Sequence, residues 1–134
     1  MRLLKAMLIF IGIVQVFFGI IFMLIPSQFA NMVGLETAPT WVNWLFVMMS
    51  ARFFGFAYGM FIASRQPYQH RHWIIGMVGV QALDWVGTLY YLFNGTLTIA
   101  QVSTASFLPV IFVAVLLYRF PQPLSDTRNF VQSA

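Results

Sequence analysis

Apolar residues run through this chain in four long blocks separated by short polar breaks. The blocks are roughly Ala6–Ile25, Val42–Ser64, Trp73–Phe93 and Leu97–Tyr118. At about 1.5 Å of rise per residue, each is long enough to cross roughly 30 Å of hydrocarbon as an α-helix. The breaks carry turn chemistry: Pro26 closes the first block, Pro39 precedes the second, Pro67 sits in the second break, and Asn94-Gly95 makes a tight turn before the fourth. The opening "MRLLK" reads like the start of a signal peptide. Its apolar run is too long for one, however, and no small-residue cleavage site follows, so a retained span is expected. The pattern predicts an all-α protein, a four-transmembrane-helix bundle of up-down-up-down order over residues 1–120. A polar cytoplasmic tail, "PQPLSDTRNFVQSA", fills 121–134.

Composition agrees with the pattern. The 134 residues are 60% hydrophobic and only 7% charged, against about 25% charged in an ordinary soluble domain. A water-soluble fold of this size keeps too much surface exposed to hide that much apolar area. The net charge of +4 is then no sign of nucleic-acid binding; it fits basic flanks facing anionic lipid headgroups. There is no cysteine, which excludes disulfides, thiolate catalysis and thiolate-bound metals.

The basic residues orient the expected bundle. Arg2, Lys5, Arg65, Arg71, Arg119 and Arg128 fall on one side of a four-span arrangement, and the other side carries only Glu36. By the positive-inside rule, both termini and the Arg65–His72 connection face the cytoplasm of a cell inner membrane. Interfacial aromatics agree, with Trp41, Trp44 and Tyr90 near the outer edge and Trp73 and Tyr118 near the inner one. The longest outer break, "PSQFANMVGLETAPTW", is expected to be an interfacial loop. As a short helix it would place Phe29, Met32, Val33 and Leu35 along one side.

One basic residue breaks the pattern. Arg52 lies inside the second block, in "MMSARFFGFAYGMF", and the third block holds one acid, Asp84. Each stands 16 positions from Tyr68, the middle of the connection between them, so an antiparallel hairpin sets them at one depth. An unpaired charge at mid-bilayer costs at least about 2.5–3.5 kcal/mol, and a guanidinium presents a planar fork that a carboxylate accepts bidentately. A bond between Arg52 and Asp84 is therefore expected, directly or through one water. Gln15 lies at a similar depth on the first span, and Gln81, Asp84 and Thr88 share a helix face. Gly12 and Gly19 bracket Gln15, and Gly55 and Gly59 follow Arg52, so the polar faces coincide with small faces suited to close helix packing. The cluster is either a satisfied clamp fixing helix register or a ligand, proton or substrate site with Asp84 as acid, base or acceptor.

Other signals are weaker. His70-Arg71-His72 has no carboxylate or cysteine near it, and H-x-H alone does not make a metal site. Asn94-Gly95-Thr96 matches a glycosylation acceptor but is expected to serve as a turn. Pro109 predicts a kink in the fourth span, with Ser103, Thr104 and Ser106 upstream to satisfy freed backbone groups. Trp85 is too deep for an interfacial anchor and could wall a pocket or pack in the core. No phosphate-loop, dinucleotide, zinc-protease or serine-nucleophile pattern occurs.

The short basic start "MRLLK", the stretch "GIIFMLIPSQFA", "ARFFGFAYG" and "HRHWIIGMVGVQALDW" together resemble the small bacterial DoxX-like four-helix membrane proteins. The resemblance covers the first two-thirds of the chain. It implies an accessory subunit, some members being linked with respiratory or redox membrane complexes, and it carries over no catalytic residue. The expected function is that of a non-enzymatic accessory or binding subunit within the bilayer, with Arg52, Asp84, Gln81, Gln15, Thr88 and Trp85 as candidate binding residues. Its partners would be the lipid bilayer, another membrane protein or further copies of itself, or a lipophilic ligand, with no cofactor or metal. The alternative is a membrane enzyme or carrier for a lipophilic small molecule that uses Asp84 as acid/base.

Overall fold

The computed structural model describes residues 1–122, and these form five helices with no strand among them. They are α1 (Arg2–Leu24), α2 (Pro26–Met32), α3 (Val42–Arg65), α4 (Arg71–Phe93) and α5 (Ile99–Tyr118). The four long helices coincide with the four apolar blocks. From residue 123 onward the expected tail, with Arg128, lies outside the described residues.

Three helices, α1, α3 and α5, are long and apolar enough to cross a membrane. The third block also forms a long helix, α4 at 23 residues, but it does not reach the same hydropathy. Gln81, Asp84, Thr88 and three glycines dilute its apolar residues.

The break after α1 is partly helical, which the expectation of a plain loop missed. Pro26 opens α2, where its lost N–H is of no consequence. Phe29 does not project away from the protein; its ring packs on Phe18 and Phe22 of α1, with centroids 6.1 and 5.2 Å apart. Met32, at 80% exposure, does not follow it inward. Gly34 ends this segment at φ +78°. Gly95 takes φ +81° after α4, where Thr96 N–H donates to Asn94 Oδ1 at 2.9 Å. The Asn-Gly pair thus makes the turn expected of it.

The long helices pack as neighbours running in opposite directions. Gly12 of α1 faces Phe61 of α3, and Gly19 faces Phe54 one level further along. Each phenylalanine ring edge fills the space a Cβ would need, so α1 and α3 approach closely along much of their length. Rings of Phe18, Phe22, Phe46 and Phe53 interlock at the α2 end of this pair. On the other side, Trp85 Nε1 of α4 donates to the Ser106 carbonyl of α5 at 2.9 Å. That carbonyl lies in the turn before Pro109, next to the Ala105 carbonyl that the proline leaves without its helical N–H partner.

The fully buried hydrophobic residues gather at one end. Leu4, Leu8 and Ile11 of α1, Met60 and Ala63 of α3, Ile74 and Met77 of α4, and Phe112 and Leu116 of α5 form one cluster. This end holds the start of α1 and the connection between α3 and α4. The Arg71 guanidinium lies 4.9 Å from the Phe120 ring centroid there and helps close it. Contact between α3 and α4 is sparse beside that of α1 with α3 or of α4 with α5. Helices α3 and α4 touch near their joined ends, where Gly59 lies against the Trp73 ring.

Candidate functional site

The polar residues singled out from the sequence divide into two layers. The deeper layer is formed by Gln15 of α1 and Gln81 of α4, which are 4% and 6% exposed. Both amides turn to the same acceptor, the Met77 thioether: Gln81 Nε2 donates to Sδ at 3.4 Å and Gln15 Nε2 at 4.0 Å. A thioether is a weak acceptor, and Gln15 Oε1 is buried with no partner among the described residues. The layer joins α1 to α4 across the bundle at the rim of the apolar cluster. Met77 was not legible as part of it, because methionine carries no sequence signal beyond bulk apolarity.

The second layer lies just beyond. Arg52 stands seven residues before Gly59 and eight before Met60, both buried, so it continues the inward face of α3. Asp84 stands three residues after Gln81 and seven after Met77, also buried, and continues the inward face of α4. Both are nonetheless exposed. Helices α3 and α4 make only sparse contact with each other, and among the described residues no ion pair joins the two side chains. The expected direct bond between Arg52 and Asp84 is therefore not made within the chain. The matching of depth is kept: Arg52 is 13 residues from the end of α3 at Arg65, and Asp84 is 13 residues from the start of α4 at Arg71.

The gap is braced from the far side. The phenylalanine rings hold α3 to α1 and α2, and the Trp85–Ser106 bond holds α4 to α5. Gln101 of α5 ties the two pairs together by donating to the Gly34 carbonyl at 2.8 Å. Its side-chain oxygen meanwhile accepts the Thr98 N–H at 2.9 Å, half of a capping box. Trp85 is thus a strut between helices. Thr88 is spent locally, its hydroxyl donating to the Asp84 carbonyl one turn back at 2.8 Å.

Two cavities lie between α4 and α5. One of about 280 Å³ is bounded by Gln81, Ala82 and Trp85 on one side and by Pro109, Val110 and Val113 on the other. The other, of about 460 Å³, sits at the α4–α5 turn among Leu89, Phe93 and Ile99. Neither is lined by Arg52 or Asp84. No group of three or more His, Cys, Asp or Glu side chains gathers among the described residues, so His70 and His72 have no third ligand there. No family model, curated protein or solved structure matches this chain.

Proposed function

We propose that the chain is an inner-membrane protein of four spans in up-down-up-down order, with both termini cytoplasmic. It acts as a non-enzymatic accessory or binding subunit whose α3–α4 gap receives a partner within the bilayer. The observation that carries this reading is the exposure of Arg52 and Asp84, at one depth and not bonded to each other. Left facing lipid, each charge would cost at least about 2.5–3.5 kcal/mol. A partner that answers both charges recovers that cost, which favours the associated state.

Several features support α4 as the fourth span. It has a span's length, it packs antiparallel to α5, and its polar residues turn to the bundle or the gap. The basic residues at the buried end support a cytoplasmic placement of that end. The resemblance to the DoxX-like proteins supports an accessory role. The alternative, a carrier or enzyme using Asp84 as acid or base, needs an enclosed pocket around that carboxylate, and neither cavity supplies one.

The absence of native cysteine makes the topology directly testable. Single cysteines at Tyr68 and Thr96 are treated with a membrane-impermeant maleimide in intact cells and in inverted vesicles. Tyr68→Cys should react only in inverted vesicles, and Thr96→Cys should react in cells whose outer membrane has been opened. Labelling of both positions from one side would remove α4 as a span. For the binding role, a photo-crosslinking residue in place of Leu83, 75% exposed on α4, should capture a protein neighbour in native membranes. Capture should be lost when Arg52→Gln and Asp84→Asn are combined. Capture that ignores both charges, or no capture at all, contradicts the reading.

A further inference from the structure

The two charges have a property that narrows the choice of partner. Resting on the reading of the α3–α4 gap as a binding face, we infer that its occupant is a second copy of this chain. The copies are related by a two-fold axis along the membrane normal, so Arg52 of each copy meets Asp84 of the other.

The argument begins with depth. Two copies inserted with the same topology can pair Arg52 with Asp84 across a two-fold axis only if the two residues lie level. They do, at 13 residues from the joined ends of α3 and α4. A different protein would impose no such equality, since it could place its answering charges at any two depths. A surface carrying one positive and one negative group at equal height is self-complementary, which is what an isologous interface requires.

Backbone access points the same way. Of the glycines on the long helices, Gly12, Gly19 and Gly59 are filled by Phe61, Phe54 and Trp73 of the same chain. Gly55 and Gly87, like Gly76 and Gly79 nearer the start of α4, have none of the described residues within 4 Å of where a Cβ would stand. Gly55 lies three residues after Arg52 and Gly87 three after Asp84, so each of these two sits on the turn next to a charge. A glycine in a helix interior weakens that helix unless something approaches it closely. Here none of the described residues does.

Pairing within one chain is opposed by the bracing of the gap. For α3 to swing onto α4 it would have to leave the phenylalanine cluster, or the Gln101–Gly34 and Trp85–Ser106 bonds would have to break. A second copy reaches both charges without disturbing any of these contacts.

The test uses two differently tagged full-length chains in one membrane. Wild-type copies should co-isolate. Arg52→Asp alone sets two acids against each other in its homodimer, and Asp84→Arg alone sets two guanidinium groups together, so each should lose self-association. When the two single variants are mixed, the introduced aspartate of one copy meets the introduced arginine of the other. The native Asp84 of the first copy likewise meets the native Arg52 of the second, and co-isolation should return. Pairing within a chain predicts the opposite: the mixture stays apart, and only the double variant with both changes in one chain recovers. A second readout keeps the charges intact. Gly55→Cys in this cysteine-free chain should form an intermolecular disulfide on mild oxidation, and Ile9→Cys on the outer side of α1 should not.

Wild-type chains that fail to co-isolate, single variants that still self-associate, or a mixture that stays apart would each overturn the dimer. If the Leu83 crosslink then reports a different protein and still depends on Arg52 and Asp84, the binding face stands and only its occupant is wrong. If no crosslink depends on the charges, both fail.

Discussion

Gly59→Ala tests the contact from which the α3–α4 gap opens. A Cβ at this position would fall 2.5 Å from Cδ2 and Cζ3 of Trp73, and closer still to Cε3. Carbon atoms pack at about 3.5–4.0 Å, so the ring or the helix must retreat by about 1 Å or more. The neighbour is the body of a rigid bicycle and not the tip of a flexible chain. Trp73 is also 38% exposed, so it can swing outward, but only by giving up the surface that joins α4 to α3. Overpacking of this kind costs about 1–3 kcal/mol. Replacing a helical glycine by alanine returns up to about 1 kcal/mol. The net effect should be a loss of about 1–2 kcal/mol, a factor of roughly 5–30 in the folding equilibrium. Reversible unfolding of the monomeric chain in mixed detergent micelles measures it, with Gly55→Ala as the control, since that site has open space. Adding Trp73→Phe to Gly59→Ala should recover part of the loss, because a smaller ring can stand back. If Gly59→Ala is tolerated as well as Gly55→Ala, or if the double variant shows no coupling, the packing argument fails.

Three further substitutions separate the remaining contacts. Met77→Leu removes the acceptor shared by Gln15 and Gln81 and should cost about 1–3 kcal/mol; adding Gln15→Leu and Gln81→Leu should restore much of that, and a neutral Met77→Leu would show that the amides do not depend on the sulfur. Trp85→Phe keeps an aromatic ring but loses the bond to the Ser106 carbonyl, and the unfolding midpoint should report a loss of about 0.5–1.5 kcal/mol; an unchanged midpoint would deny the strut. Gly95→Ala places a side chain at φ +81° and should cost about 1–2 kcal/mol in the same assay, whereas Gly87→Ala, in an open helical position, should leave the single chain no less stable.

The long helices were legible because each apolar block ends in proline, glycine or charge at the distance a bilayer sets. Helical spacing also gave phase and depth. That is enough to set Arg52 and Asp84 level with each other and Gln15 and Gln81 near them, but not to divide the four into the two layers that the fold makes of them. It could not give the distance between helix axes. That distance depends on which side chains fill the seams: Phe61 and Phe54 over glycines on the α1–α3 side, Trp73 over Gly59 at the α3–α4 corner. The spacing of the glycines marks the close-packing faces, but nothing in it says which ring fills each one. Helix α2 was weighed and set below a plain loop, since seven residues carry too short a pattern to decide between the two. The error at the charged pair follows from this difference. Pairing Arg52 with Asp84 in one chain assumed that sequence neighbours in a hairpin stay neighbours along their whole length. In the folded chain α3 packs on α1 through aromatic rings and α4 on α5 through the tryptophan strut, while α3 and α4 make only sparse contact with each other. The depth argument survives this correction because it depends on helical rise alone. Equal depth without contact then becomes the feature that makes the exposed face match a copy of itself.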